Sequence, residues 1–568
     1  MTGLTDTPIH YTLNVYFPKL NFQVYPWKIY EMAVIELDKH STDNYSTVKV
    51  PNILPKIEEV KKRVRSTPVT FVIPPSTFLA DERVFPFLGI LKVAAEFRKN
   101  GNPVEVLDLS GYSNYEDIVS DYAKTTTTKH FAITSTTPQL PAAVKIAEKL
   151  RSEIPEATII SGGAHATLTH AGMEQDLMRN RRGRATLAFD QLRNTFDKLV
   201  IGDGELATFY ALDPKYPDQV VDAGNRKSLL FLSKEVLGNF EPPARDLIDM
   251  GSYHYDIDGH RTFSTIIQLG CPFECGFCCG RDSHFLRTVR PRSPKNAVEE
   301  IEQFILKSKE EGIDYSGVMF YDDELNVSTG NLEVLCRELI NLQDRLGQEM
   351  AFRGFVKAEL FTPKQAELMY HAGFKVLLSG IESGSDQMLK AMKKHTSGAI
   401  NSHLVDIAHN AGLKVKALMS LGHPGESEKT AEESRNWVIN NLWPNWDDVD
   451  WTIITQYPGS PYYDHSEYDD CKQAWRYSII VDGQTLALNS REMNFATDAY
   501  YYKGIPGEYD VYVWTDHLST DQLATLRDQA EKDTRSALKL APITATTPRT
   551  FEHSMGQHLP TDILRRSF

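Results

Sequence analysis

Basic residues are in deficit. Against 76 Asp and Glu stand 61 Lys and Arg, a formal charge of −15 over 568 residues. A chain this acidic does not hold a polyanion by bulk electrostatics, so neither nucleic acid nor an anionic membrane surface is expected as a partner. Long apolar runs are missing as well; none approaches the roughly 18 residues that a bilayer span needs. The opening Met-Thr-Gly-Leu-Thr-Asp-Thr-Pro has no basic n-region and no apolar h-region, so a signal peptide is not expected. Cysteine is scarce, six in all with none before Cys271, which argues against a secreted disulfide scaffold and for a reducing, cytoplasmic setting. Solenoid repeats and low-complexity tracts are lacking too. What is plentiful is ordinary: 41% hydrophobic and 24% charged residues, the usage of a globular chain of several domains.

Short apolar runs alternate with amphipathic stretches from about residue 68. Strands are expected at Val69–Ile73, Val104–Leu109, Phe131–Ser135, Ala157–Ser161 and Lys198–Ile201, with helices at Leu88–Arg98 and Ala142–Ile154. Val- and Ile-rich strands separated by single helices imply a parallel, Rossmann-like sheet over residues 68–215. Residues 1–67 read as an irregular N-terminal extension and 216–258 as a linker. At the expected carboxyl ends stand Pro74-Pro75-Ser76-Thr77, Thr134-Ser135-Thr136-Thr137, Ser161-Gly162-Gly163-Ala164-His165 and Gly202-Asp203-Gly204-Glu205. One such turn is merely tight; four at one sheet edge point to a bound cofactor, because small residues let a large ligand approach the backbone.

A second alternation fills 259–465. Its expected strands are Ser264–Leu269, Gly317–Tyr321, Phe352–Lys357, Lys375–Ser379, Lys414–Leu421 and Asp450–Gln456. Ser293-Pro294 and Thr362-Pro363 each offer a capping hydroxyl followed by proline at the first helical position. Six strand–helix units suggest a partial (β/α)6 barrel. Residues 466–568 form a small C-terminal α+β region with one clear helix, Thr520–Leu540.

Directly after the first barrel strand comes Cys271-Pro-Phe-Glu-Cys275-Gly-Phe-Cys278. Three thiolates at spacings of four and three can reach three irons of a cubane from one loop, leaving the fourth iron open to a small molecule. A zinc site needs a fourth ligand, which His284 could supply, since adjacent Cys278 and Cys279 do not easily point at one small ion. The Cys-x-x-Cys step lacks a thioredoxin-like setting. Asp322, Asp323 and Glu324, at the end of the second barrel strand, are an acidic cluster facing the same cavity or else solvated loop carboxylates.

The cysteine motif, with Phe277 before its last member, resembles that of the radical S-adenosylmethionine (SAM) superfamily. Gly380-Ile381-Glu382-Ser383-Gly384-Ser385, Gly422-His423-Pro424-Gly425-Glu426 and Tyr457-Pro458-Gly459-Ser460-Pro461 are similar to the family's turns around SAM and substrate. A Rossmann-like domain ahead of the barrel is similar to the cobalamin-binding subclass. The Asp-x-His-x-x-Gly segment that gives cobalt a histidine in many cobalamin proteins is missing, as it is in the subclass's methylases.

The resemblance implies three cofactors: a [4Fe-4S] cluster on Cys271, Cys275 and Cys278; SAM near Phe277, Gly380, Glu382, Ser383 and Gly422; and cobalamin at Ser135, Thr136, Gly162, Gly163, His165, Gly202, Gly204 and Glu205. It further implies an enzyme that splits SAM reductively and moves methyl through cobalamin to an unactivated carbon or phosphorus of a small molecule or peptide. Its electron would come from a flavodoxin or ferredoxin. Cyclisation or rearrangement without methyl transfer is the alternative within the family; a non-catalytic metal protein is the alternative outside it. No catalytic side chain stands out.

Overall fold

The computed structural model describes residues 56–76, 82–498 and 509–542, all within one compact unit, Lys56–Phe568. Most of the expected N-terminal extension, and Thr77 with it, lies outside the described residues. The extension's last stretch is regular rather than irregular. Ile57–Val64 is a helix that buries Val60 and Val64, one turn apart, and its Arg63 pairs with Asp213 beyond the helix Gly204–Leu212.

The first sheet has six parallel strands: β1 Val69–Ile73, β2 Val104–Asp108, β3 His130–Thr134, β4 Thr158–Gly162, β5 Lys198–Ile201 and β6 Val220–Asp222. Their order is β2-β1-β3-β4-β5-β6. The chain therefore reverses direction of travel between β1 and β3, the kind of position where open α/β sheets bind ligands beyond their carboxyl ends. The sixth strand falls inside the stretch expected as linker; three residues are too few to show a periodicity, and pairing with β5 is what makes them a strand.

The second sheet runs β15-β14-β13-β12-β11-β8-β7. Its strands are β7 Asp256–Ile257, β8 His260–Thr265, β11 Gly317–Phe320, β12 Ala351–Phe355, β13 Phe374–Glu382, β14 Lys414–Leu421 and β15 Asp448–Ile453. Six are parallel in simple succession, and β7 folds back antiparallel on β8. Among the described residues the array does not close, so it is a partial barrel with two edges. Helix Thr520–Ala537 covers the β15 edge. The backbone of Trp451 donates to Glu531 and accepts from Arg527 at 3.2 and 3.1 Å, while its indole donates to Thr534 at 3.0 Å. Such cover removes a free strand edge. Thr362 caps the helix Pro363–Ala372 reciprocally with Gln365; Ser293 occupies the corresponding place before Pro294, but its hydroxyl makes no capping bond.

Two smaller sheets complete the fold. A ribbon of β9 Gln268–Leu269 and β10 Arg290–Pro291 clasps the cysteine loop at its base. An antiparallel sheet, β16 Glu467–Asp469, β17 Ala474–Val481, β18 Gln484–Ser490 and β19 Val513–Thr515, forms the C-terminal lobe. Among the described residues no helix is long and apolar enough to cross a membrane.

Candidate active site

The cysteine loop is held at both ends and in the middle. At its base Gly270 has φ +84°, and a Cβ there would lie 2.2 Å from the Thr288 carbonyl oxygen, so only glycine closes this ribbon. Cys271 N–H donates to Leu286 at 3.1 Å. Midway, Gly276 N–H donates to the Met392 carbonyl at 2.8 Å and Gly276 O accepts from Tyr462 N–H at 3.0 Å; beyond, Gly280 N–H donates to Gly459 at 2.7 Å. The loop is thus pinned to the barrel segments that follow β13 and β15. Inside it, Arg281 donates to the carbonyls of Cys271 and Cys279 at 2.7 and 3.2 Å. The guanidinium is 6% exposed and counters burial, which pushes the Cys278 thiol up to about 12. Cys279 is pushed higher still, first by burial and then by Cys278.

Among the described residues, the His, Cys, Asp and Glu group whose ligand atoms all lie within 4.8 Å of one another is His170, Glu174 and Asp222, at the β6 side of the first sheet. The three motif cysteines do not gather that tightly, as a single zinc would require. They suit a cluster whose irons occupy separate corners. Of the remaining thiols, Cys336 is packed in the barrel core and Cys471 is exposed.

One cavity of about 760 Å³ joins the two sheets. Gly162, Gly163, Gly202, Gly204 and Glu205 line its sheet side; Phe277, Cys278, Cys279, Arg281 and Asp323 line its barrel side. Gly163 has φ +93°, and a Cβ on it would stand 2.6 Å from the Thr134 hydroxyl oxygen and 3.0 Å from the Ser135 backbone; the turn depends on the missing side chain. Near these strand ends Ser76, Ser135 and Ser161 bury hydroxyl oxygens without a hydrogen-bond partner, but none of the three lines the cavity. Asp203 ties the walls together. Its carboxylate accepts from both terminal nitrogens of Arg290 on β10, and that guanidinium lies against the rings of Phe231 and Phe285, 5.0 and 4.5 Å from their centroids. Glu205 pairs with Lys92 at 3.5 Å.

Three residues expected at this cavity turn elsewhere. Thr136 caps the short helix Thr137–Gln139, exchanging bonds with Gln139. Ser135 is buried beneath the turn and does not line the cavity. His165 is 1% exposed; its Nδ1 and Nε2 meet the hydroxyls of Thr137 and Thr169 at 3.0 and 3.4 Å. Burial lowers its pKa to about 3, so it is a neutral core histidine. Among the described residues no histidine lines the cavity.

Within the barrel mouth, Glu382 ends β13. Its Oε1 accepts from Lys394 at 3.1 Å and its Oε2 from Ser420 at 2.9 Å. Gly380 lies beneath this ion pair, and Gly422 follows β14 against Ile453, Ile454 and Val513. Ser383 departs from expectation: its hydroxyl is fully buried against Ser434 at 2.7 Å, because β13 ends in a turn that packs onto helix Glu428–Asn441, and it faces away from the mouth. The acidic cluster also divides. Asp322 is buried and accepts from Ile267 N–H at 3.1 Å, Asp323 reaches the cavity, and burial raises Glu324 to about 7 beside Lys394 and Lys357.

A family model described as the radical SAM superfamily matches residues 265–438, from the end of β8 to the helix before β15. The cysteine loop, beyond the carboxyl end of the first barrel strand, lies within that match. It is 24% identical over 380 residues to an anaerobic magnesium-protoporphyrin IX monomethyl ester cyclase of Cereibacter sphaeroides, covering 62% of this chain and 57% of that relative. It is 23% identical over 406 residues to a bacteriochlorophyllide d C-8(2)-methyltransferase of Chlorobaculum tepidum, covering 68% and 78%. The solved cobalamin-dependent SAM radical enzyme OxsB, with aqua-cobalamin and SAM bound, shares the fold at a TM-score of 0.52 and 15% identity, covering 71% of this chain and 55% of that one. The chain thus spans little more than half the length of the cyclase and of OxsB.

Proposed function

We propose that this chain is a cobalamin-dependent radical SAM methyltransferase acting on a small molecule or peptide. The observation that carries the proposal is the shared cavity, with glycine-rich carboxyl-end turns on one wall and Phe277 and Cys278 of the cluster loop on the other. When bound, the cluster would supply the electron that splits SAM, and cobalamin would carry the methyl group. Cys271, Cys275 and Cys278 would hold the cluster, while Arg281 fixes the loop and offsets its charge. Glu382 and Lys394, presented by the mouth of the barrel, offer an acceptor and a cation to SAM. Gly162, Gly163, Gly202 and Gly204 leave backbone room for the nucleotide tail of cobalamin, and Leu88, Ile133, Ile160, Ile267, Leu269 and Phe285 keep the chamber apolar. A low-potential flavodoxin or ferredoxin in the cytoplasm would supply the electron.

The test is anaerobic reconstitution of the full chain with iron, sulfide and cobalamin, followed by SAM labelled in its methyl group. About four irons per chain, retained corrinoid, and label recovered with the protein-bound corrinoid support the proposal. One zinc per chain and no SAM cleavage would overturn it. The cyclase relative raises the second reading, in which SAM is cleaved but label reaches neither corrinoid nor product.

A further inference from the structure

We infer that His423 is a positioning residue: through Ser420 it holds Glu382 in the orientation that receives SAM, an inference that rests on the SAM reading above. The starting observation is backbone strain. Glu382 has φ +64° where the register of β13 against β14 shifts between Gly380 and Glu382. A non-glycine residue in the left-handed region persists where its surroundings over-determine it, and such residues gather at functional sites.

The surroundings of Glu382 are directional. Its carboxylate accepts from Lys394 on one oxygen and from Ser420 on the other. A carboxylate salt-bridged to lysine only accepts, so the single hydroxyl proton of Ser420 points at Glu382. Ser420 Oγ must therefore accept from His423 Nε2, 2.8 Å away. With its proton on Nε2, a neutral ring leaves Nδ1 bare, and Nδ1 accepts the hydroxyl proton of Tyr462 at 3.3 Å. One tautomer satisfies every step, and burial keeps the ring neutral, with a pKa near 3. His423 and Tyr462 are fully buried and Ser420 nearly so. The far end of the chain is anchored in the cysteine loop, because Tyr462 N–H donates to Gly276 and the Phe277 ring meets His423 edge-on at 5.3 Å. A row of oriented hydrogen bonds thus runs from the loop between Cys275 and Cys278 to Glu382; the carboxylate sets its direction, and His423 is the member that both donates to Ser420 and accepts from Tyr462.

The experiment uses the full chain, anaerobically reconstituted. Its readouts are iron content, SAM affinity and the steady-state kinetics of SAM cleavage, resolved into kcat and KM. His423→Phe keeps an aromatic ring against Phe277 and removes both ring nitrogens; SAM should bind about 10-fold more weakly, the loss of one charge-assisted hydrogen-bond orientation, with KM rising, kcat changing less and iron content unchanged. His423→Gln, which returns an N–H toward Ser420, should restore most of the affinity. Glu382→Gln should weaken SAM binding by itself, and adding His423→Phe to it should cost less than about 2-fold more, because coupled residues are not additive. Should His423→Phe not fold, Tyr462→Phe, which removes one hydroxyl, carries the same cycle with a loss of about 3-fold. Full additivity in the Glu382→Gln background, or unchanged SAM binding by His423→Phe, would overturn the inference while the SAM reading stands. Wild-type protein that holds its iron yet neither binds nor cleaves SAM would overturn both.

Discussion

Two side chains in this protein, a half-buried thiol and a buried imidazole, owe their chemistry to what surrounds them. The Cys278 thiol, pushed up to about 12 by desolvation, does not ionise at neutral pH without a cation beside it, and Arg281 alone does not suffice. Iron does. Replacing Cys271, Cys275 or Cys278 by alanine should therefore abolish the visible absorbance of the cluster and all SAM cleavage, whereas replacing Cys279, Cys336 or Cys471 should leave both largely intact. Loss of the cluster in Cys279→Ala with retention in Cys278→Ala would reverse the ligand assignment. His165 makes the opposite case. Its folded pKa, about 3, lies below the ordinary value of about 6.5 for an unfolded histidine. The unfolded chain thus takes up a proton that the folded chain refuses, and stability present above pH 6.5 is lost as pH falls toward 3. His165→Gln cannot make this exchange. Its deficit against wild type in urea unfolding should shrink on going from pH 7.5 to 5, by about 1.4 kcal/mol per pH unit below 6.5. A deficit independent of pH would show that His165 is exposed or already charged.

Glycine turns act at the scale of the element. Gly163→Val would drive a Cβ into Thr134 and the Ser135 backbone at a φ that valine resists, deforming the β4 turn that walls the cavity. The variant should lose cobalamin, followed by the corrinoid absorbance retained on gel filtration, while keeping its iron, because the cysteine loop is clasped by a different ribbon. Loss of both together would mean that the two walls fold as one. The turn was legible in the sequence, as were β1, β5 and β14, whose observed limits match the apolar runs at Val69–Ile73, Lys198–Ile201 and Lys414–Leu421. Shorter strands were not, since β6, the β9–β10 ribbon and β16 are two or three residues each and exist only through their partners. Side-chain direction was also hidden. Ser383 and His165 sit in the expected turns yet face the core, and Arg290 meets Asp203 across 87 residues, a pairing no local pattern announces. Ser420, His423 and Tyr462 left one signal, polar residues within otherwise apolar or glycine-rich strand ends. It acquires meaning only when three segments converge.

At the largest scale, one buried cation joins parts of the fold that belong to different cores. Arg184 opens a helix of the first sheet's layer, Arg184–Thr195, and is 4% exposed. It donates to Gln456 after β15 at 2.5 Å, to Ser490 on β18 at 3.1 Å and to the Tyr463 carbonyl at 3.2 Å, and its guanidinium lies 3.7 Å from the Tyr463 ring centroid. Sheet layer, barrel end and C-terminal lobe therefore meet at one side chain. Burial lowers its pKa only to about 10, so at neutral pH the charge stays and is satisfied by neutral oxygens and a ring face, an arrangement planar guanidinium makes and lysine ammonium does not. Arg184→Leu removes the guanidinium from three acceptors, although Gln456 still accepts from Ser490 and the Tyr463 carbonyl from Ser466; hydrogen bonds to a charged group contribute about 1.5–3 kcal/mol each with incomplete additivity, so a loss of about 3–5 kcal/mol is expected. The loss should fall on the junction rather than on any one core. In calorimetry the variant should unfold in separated steps, the C-terminal lobe first, where wild type keeps these parts together. Arg184→Lys should recover little, because one ammonium cannot span the three acceptors and the ring. A single transition merely shifted to lower temperature would place Arg184 inside one cooperative unit instead of at the seam of three.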